Sequence, residues 1–256
     1  MQFTTLWRRT WPWALLAAIG VIILNLALFS SLEQAFALVP ELASLPKPVL
    51  YLLATIQPVI LVLLASLLGA WLSPRLGLRS YLAGDQDVNL RSQIPLAVGL
   101  GLICAIAIIG LDLGTKSLMP PINPDAQELA SGLSHQTPLS ILASLWYGGI
   151  TEEVLLRWGI MSGIAGLLAW LFARNSTPAN WIYWSAILIA ALLFGLGHLP
   201  ATAQLFGLTP FVIVRAIVLN GIFGVVAGWL FWRRSLEAAM IAHMTFHLIV
   251  TLLSLN

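Results

Sequence analysis

Ser144-Leu145-Trp146-Tyr147-Gly148-Gly149-Ile150-Thr151-Glu152-Glu153-Val154-Leu155-Leu156-Arg157 sets two adjacent carboxylates and a guanidinium inside an apolar stretch running from about Leu139 to Ala173. Only 9% of the 256 residues are charged, so three charges between positions 152 and 157 stand out. A carboxylate placed in hydrocarbon costs roughly 2.5–3.5 kcal/mol on insertion scales. The length of the stretch decides the fold. About 35 residues are too many for one straight span, which needs about 20, and few for two spans with a turn. Gly148-Gly149, Gly159 and Gly163 read as places where it bends.

The surroundings of this stretch define a class. The chain is 59% hydrophobic and its mean hydropathy is +0.93. Soluble domains are about 45–50% apolar and about 25% charged. The composition therefore predicts an all-α, polytopic membrane bundle, with no room for a large soluble domain. A net charge of +2 gives no basis for nucleic-acid binding, so the partners to expect are membrane lipid and a membrane-associated peptide or protein. Cys104 is the only cysteine, which excludes an intrachain disulfide framework.

Apolar runs near Trp11–Ser31, Pro48–Leu72, Ile94–Leu111, Leu139–Ala173, Trp181–Leu199, Phe211–Trp232 and Leu236–Leu255 mark the spans. The first exceeds a signal-peptide core, so it reads as a retained span although Arg8-Arg9 resembles a twin-arginine signal. Arg8 and Arg9, then Arg75, Arg79 and Arg91, then Arg174, then Arg233 and Arg234 form four basic groups. They share one side if the long stretch crosses once. Segments poor in basic residues, Glu33–Glu41 and Asp112–Glu128 with the Pro-rich run from Met119 to Pro124, then fall on the other. The positive-inside rule gives seven crossings with a cytoplasmic N-terminus. An eight-span reading strands Arg233-Arg234 outside. Trp11, Trp13, Trp181, Trp184, Trp229 and Trp232 sit at span ends as interfacial anchors.

Polar residues in the second half supply candidate chemistry. Glu153 and Arg157 share a helix face at i,i+4 and can pair. Glu152 lies about 100° around and points elsewhere. His243 and His247 also share a face, and His198 ends the fifth span in Phe194-Gly195-Leu196-Gly197-His198. Three histidines with a carboxylate could bind zinc and leave a position for water. Without metal, a buried carboxylate takes a proton from water while imidazoles or amides donate to an oxyanion. Asn220 and Arg215 are polar in the sixth span; Arg215 reads as a snorkelling residue. Gly224-x-x-x-Gly228 reads as a helix-packing motif. Cys104 and His135 carry no functional signal.

These residues resemble a known family. Glu152-Glu153-Val154-Leu155-Leu156-Arg157 is similar to the EExxxR motif of the CPBP intramembrane proteases, the CAAX proteases and bacteriocin-processing enzymes also called the Abi family. Phe194 to His198 matches its FxxxH motif, and His243 with His247 stands where its HxxxN motif does. The resemblance covers roughly Pro138–Leu255, which divides the chain into residues 1–137, three N-terminal spans with an external loop, and residues 138–256, a CAAX protease-like core. It implies a glutamate-dependent intramembrane endopeptidase, and the expected location is the bacterial plasma membrane. Glu152 with His198 would activate water, and His243 and His247 would stabilise the oxyanion or, with His198, hold zinc. Glu153 and Arg157 would support the site. One departure is His247, where better-known relatives carry Asn; both side chains can donate a hydrogen bond. The competing expectation is a non-proteolytic scaffold, immunity factor or proton-coupled transporter, since buried carboxylates and histidines also build proton relays.

Overall fold

The computed structural model describes residues 3–29, 44–123, 137–174 and 176–254. Every long apolar run becomes a helix, and no strand occurs among the described residues. The elements are α1 (Phe3–Ala27), α2 (Lys47–Leu72), α3 (Leu90–Thr115), the composite α4 (Pro138–Phe172), α5 (Asn180–Gly197), the short α6 (Leu199–Leu205), α7 (Pro210–Arg233) and α8 (Leu236–Ser254). Seven of these regions are long and apolar enough to span a bilayer, so the chain is an integral membrane protein with seven candidate crossings among the described residues. The starts are encoded locally. Asn89, Thr137 and Thr209 accept hydrogen bonds from the backbone N–H three residues on, at 3.3, 3.1 and 3.3 Å. Pro138 and Pro210 occupy first-turn positions, where a missing N–H costs nothing.

The long stretch is one continuous helical crossing. Residues Ser144–Glu152 and Val154–Met161 are wound as π-helix, with α-helix before and after. An α-helix of 35 residues would rise about 52 Å, against a hydrocarbon core of about 30 Å. The i→i+5 winding is wider and puts more residues into each turn, so the same residues climb less. The glycines serve close approach. A Cβ at Gly159 would run into Ala65 of α2, one at Gly149 into Met244 of α8, and one at Gly148 into the His247 ring. The Gly224/Gly228 face packs against Ala191 and Ile187 of α5, as a small-residue motif should.

α4 lies against α1, α2, α5 and α8 and carries the centre of the core. Trp158 is fully buried between α2 and α7. Its indole donates to the Ser66 carbonyl at 3.1 Å and its ring meets Phe231 at 6.0 Å. The buried core draws on α1 to α3 as well as on α4, α5, α7 and α8.

The two ends differ in chemistry. At one end Arg9 reaches the α2–α3 connection, the α8 backbone N–H of Leu236 bonds the Arg79 carbonyl, and Arg75 and Arg174 border one groove. The basic groups are thus gathered at one end, as a single crossing by α4 requires. Trp13 departs from the anchor role: it is 1% exposed and donates to Ser80 Oγ at 3.1 Å. Trp11, Trp181 and Trp184 are exposed. At the other end Arg215 has partners in a neighbouring span. It pairs with Asp112 and donates Nε to Thr115 Oγ1 at 2.9 Å, tying α7 to α3. Residues Glu33–Glu41, the tract from Pro124 to Glu128, and His135 lie outside the described residues.

Candidate active site

The site forms where α4, α5, α7 and α8 meet. Glu153 projects from α4 and is 0% exposed. Its Oε1 lies 3.1 Å from Arg157 Nη1 and accepts a hydrogen bond from His243 Nδ1 at 2.8 Å. Arg157 donates Nη2 to the Gly224 carbonyl of α7 at 3.2 Å, and its guanidinium lies 5.0 Å from the centre of the Phe194 ring. One arginine therefore spans α4, α5 and α7, and the carboxylate it steadies reaches α8. Breaking the pair from either side strands the other charge in the core, which costs about 3–5 kcal/mol.

Glu152 faces the other way. It lines a cavity of about 110 Å³ with His198, His243, His247 and Asn220, closed by Phe194, Phe223 and Phe246 among others. Its Oε2 is 3.9 Å from His243 Nε2, too long for a direct hydrogen bond. The structure thus gathers four sequence candidates, Glu152, His198, His243 and His247, on one cavity from three helices. Glu153 and Arg157 pack beside it rather than lining it.

His198 owes its place to a broken helix. Pro200 has no N–H to give the Leu196 carbonyl, so the ladder of α5 stops at Gly197 and α6 restarts at Leu199. The fifth span therefore ends at the cavity. His198 Nδ1 lies 2.9 Å from the Phe194 carbonyl. A carbonyl only accepts, so Nδ1 carries the proton and Nε2 of the neutral ring holds a lone pair. The same logic applies to His243. Its Nδ1 donates to a carboxylate, so Nε2 accepts in the neutral ring and donates only in the imidazolium. A neutral His243 is therefore not an oxyanion donor, which the sequence alone could not show.

Aromatic rings fix the imidazoles. Phe194 stands edge-on to His198 at 4.7 Å and to His243 at 6.0 Å, and Phe223 covers His243 at 4.2 Å. His243 and His247 stack at 4.8 Å and 15°. Near-parallel rings aim their nitrogens side by side rather than at one point. Among the described residues no three His, Cys, Asp or Glu side chains are grouped so that they could hold a metal ion. The His198, His243 and His247 set does not fit zinc as placed, and no step below runs through one. His247 Nε2 is buried without a hydrogen-bond partner, tucked where Gly148 has no side chain.

Asn220 was visible in the sequence without a role. Its amide donates to the Ala216 carbonyl at 2.8 Å, and the residue borders the cavity beside His198. Its polarity in an apolar span was the available signal.

A family model described as Rce1-like, type II CAAX prenyl endopeptidase, matches residues 134–249. No curated protein and no solved structure matches the chain. The matched segment contains all six candidate residues, from Glu152 to His247.

Proposed function

Residues 134–249 match a model of the Rce1-like family of type II CAAX prenyl endopeptidases, and from that match we propose that the cavity bounded by Glu152, His198, His243 and His247 is the hydrolytic centre of an intramembrane endopeptidase. The observation that carries this reading is the convergence of those four side chains, from α4, the α5–α6 break and α8, on one cavity. Glu152 takes a proton from a water held in that space. The water oxygen attacks the scissile carbonyl, and Glu152 returns the proton to the leaving amine as the C–N bond breaks. His198 Nε2 accepts a second hydrogen bond from the attacking water. Glu153 and Arg157 do not touch substrate. Glu153 holds the His243 ring by Nδ1, as a buried carboxylate orients the imidazole of a catalytic triad, and in the imidazolium Nε2–H donates to the oxyanion. His247 stacks on that ring and offers the second donor. In this reading the basic end faces the cytoplasm, and the substrate is the C-terminal segment of a membrane-associated, prenylated protein.

A second reading has its own observation. The cavity has room for several waters but not for a peptide segment. Proteolysis therefore requires the Phe223–Phe246 wall to open, whereas a proton relay or a non-proteolytic scaffold does not. Reconstitution in proteoliposomes decides between them. Prenylated and unprenylated CAAX-tailed peptides are offered to the native chain and to Glu152→Gln. Removal of the general base should lower cleavage by about 10²–10⁴-fold with unfolding unchanged. Equal cleavage by the two proteins overturns the role of Glu152, and proton flux without cleavage establishes the second reading. Activity lost to a chelator and restored by zinc would require the histidines to regroup around metal.

A further inference from the structure

A groove of about 640 Å³ lies outside the candidate active site, between the C-terminal ends of α2 and α4. Its size falls in the range of small-ligand sites, roughly 300–1,000 Å³. Leu68 and Leu72 form one wall and Trp170 the other. Gly166 lets α2 come close to α4 at the groove; a Cβ there would meet Leu72 at 2.9 Å. Two arginines stand at the mouth. Arg75 lies 5.0 Å from the Trp71 ring centre and donates to the Trp71 carbonyl, and Arg174 lies 4.8 Å from the Trp170 ring centre. Neither has a carboxylate partner among the described residues. A guanidinium carries five N–H donors, so one bond to a carbonyl leaves most of each fork unused.

We propose that this groove is a binding site for an anionic glycerophospholipid, with the headgroup phosphate between Arg75 and Arg174 and one acyl chain laid along Leu68 and Gly166. Charge complementarity selects the occupant. Two unpaired cations flank an apolar trough whose tryptophans mark headgroup depth, and basic pockets between spans at the positively charged end suit anionic headgroups. A zwitterionic lipid would satisfy the trough but not both arginines. The tryptophan faces hold the guanidiniums in place before the lipid arrives, which lowers the ordering cost of binding. The site lies on α2 and α4, away from the cavity lined by α3, α5, α7 and α8 as well as α4, so it stands or falls independently of proteolysis.

The test uses the full chain in mild detergent, with phosphatidylglycerol or phosphatidylcholine added, and native mass spectrometry to count retained lipid. The native protein should retain phosphatidylglycerol roughly 30-fold more strongly than phosphatidylcholine, the preference expected of two arginines at a headgroup. Arg75→Gln with Arg174→Gln should abolish the preference, and Arg91→Gln, another exposed arginine at the same end, should leave it intact. Gly166→Leu should fill the trough and lower retention of both lipids. All three variants must give the native elution profile and melting temperature. Should the double variant misfold, Gly166→Leu alone carries the test. Equal retention of the two lipids by the native chain, a preference that survives the double glutamine variant in folded protein, or displacement of the lipid by inorganic phosphate alone would overturn the proposal.

Discussion

Two buried arginines hold the molecule together, and they are held differently. Arg9, where α1 meets the α2–α3 connection, spends its fork well. Nη1 donates to Asp85 Oδ1 at 2.7 Å and to the Ala83 carbonyl at 3.2 Å, and Nη2 donates to Asp85 Oδ2 at 3.0 Å and to Ser73 Oγ at 3.2 Å. Only Nε lacks a partner. Arg157 sits deeper and is served worse. It has an ion pair and one carbonyl, while Nε, Nη1, Glu153 Oε2 and His247 Nε2 make no hydrogen bond. A network that only braces a fold tends toward full satisfaction, because each bare buried group costs free energy. The bare polar atoms here lie on the residues that hold or carry the imidazoles of one cavity, where placing those rings takes precedence over satisfying every donor.

The largest test of that contrast removes the central cation. Arg157→Met leaves Glu153 buried and unpaired and should destabilise the protein by about 3–5 kcal/mol, measured by reversible unfolding in mixed micelles. Activity per folded molecule should fall with it, because His243 loses its oriented carboxylate. Arg9→Met should cost less, about 1–3 kcal/mol, since Asp85 is 20% exposed and can rehydrate. Here activity per folded molecule should stay native. If the two variants lose activity alike, the division between brace and site is wrong.

How much of this contrast the sequence carried depends on the kind of geometry involved. Apolar run length showed the spans, because hydrocarbon thickness fixes it. The Glu153–Arg157 pair was legible because its partners are four residues apart on one helix. Its link to His243, ninety positions away, was not, because it depends on how α4 and α8 rotate against each other. The π-helical winding of α4 was also hidden, since its residues are ordinary helix formers, and so were the close approaches that Gly148, Gly149 and Gly159 allow. Arg9 read as a flanking charge, because its partner lies across the α2–α3 connection. The convergence of His198 with Glu152 depended on Pro200 ending α5 at the cavity, which apolar run length does not reveal.

A smaller change probes the site without touching its charges. Gly148→Ala puts a methyl where the His247 ring lies, so the ring must move. Overpacking of this sort costs about 1–3 kcal/mol. A misplaced donor should lower kcat on the order of 10–100-fold with a smaller change in KM. Gly163→Ala, on the same helix but against the flexible Leu68 side chain, supplies the comparison; it should leave kcat unchanged. A kcat loss equal in both would make Gly148 a packing glycine and nothing more.

The smallest effect belongs to the exposed pair at the basic end. Arg79 Nη1 donates to Asp87 Oδ2 at 2.6 Å, and both side chains are largely in solvent. The hydrogen bond from Arg79, helped by its charge, holds the Asp87 carboxyl below the ordinary carboxylate value. A lowered folded-state value means that the stabilising contribution is present above the unfolded pKa of about 3.9 and is lost as pH falls through the folded one. Water competes for both partners, so the contribution is small even where it is complete. Asp87→Asn should leave the neutral-pH melting temperature unresolved from native and should not alter lipid retention or cleavage. Arg9–Asp85 lies in the same connection, so burial rather than location separates the two pairs. A large loss in Asp87→Asn would mean that the connection braces the bundle through its surface charges, and the contrast between the buried arginines would have to be redrawn around that loop.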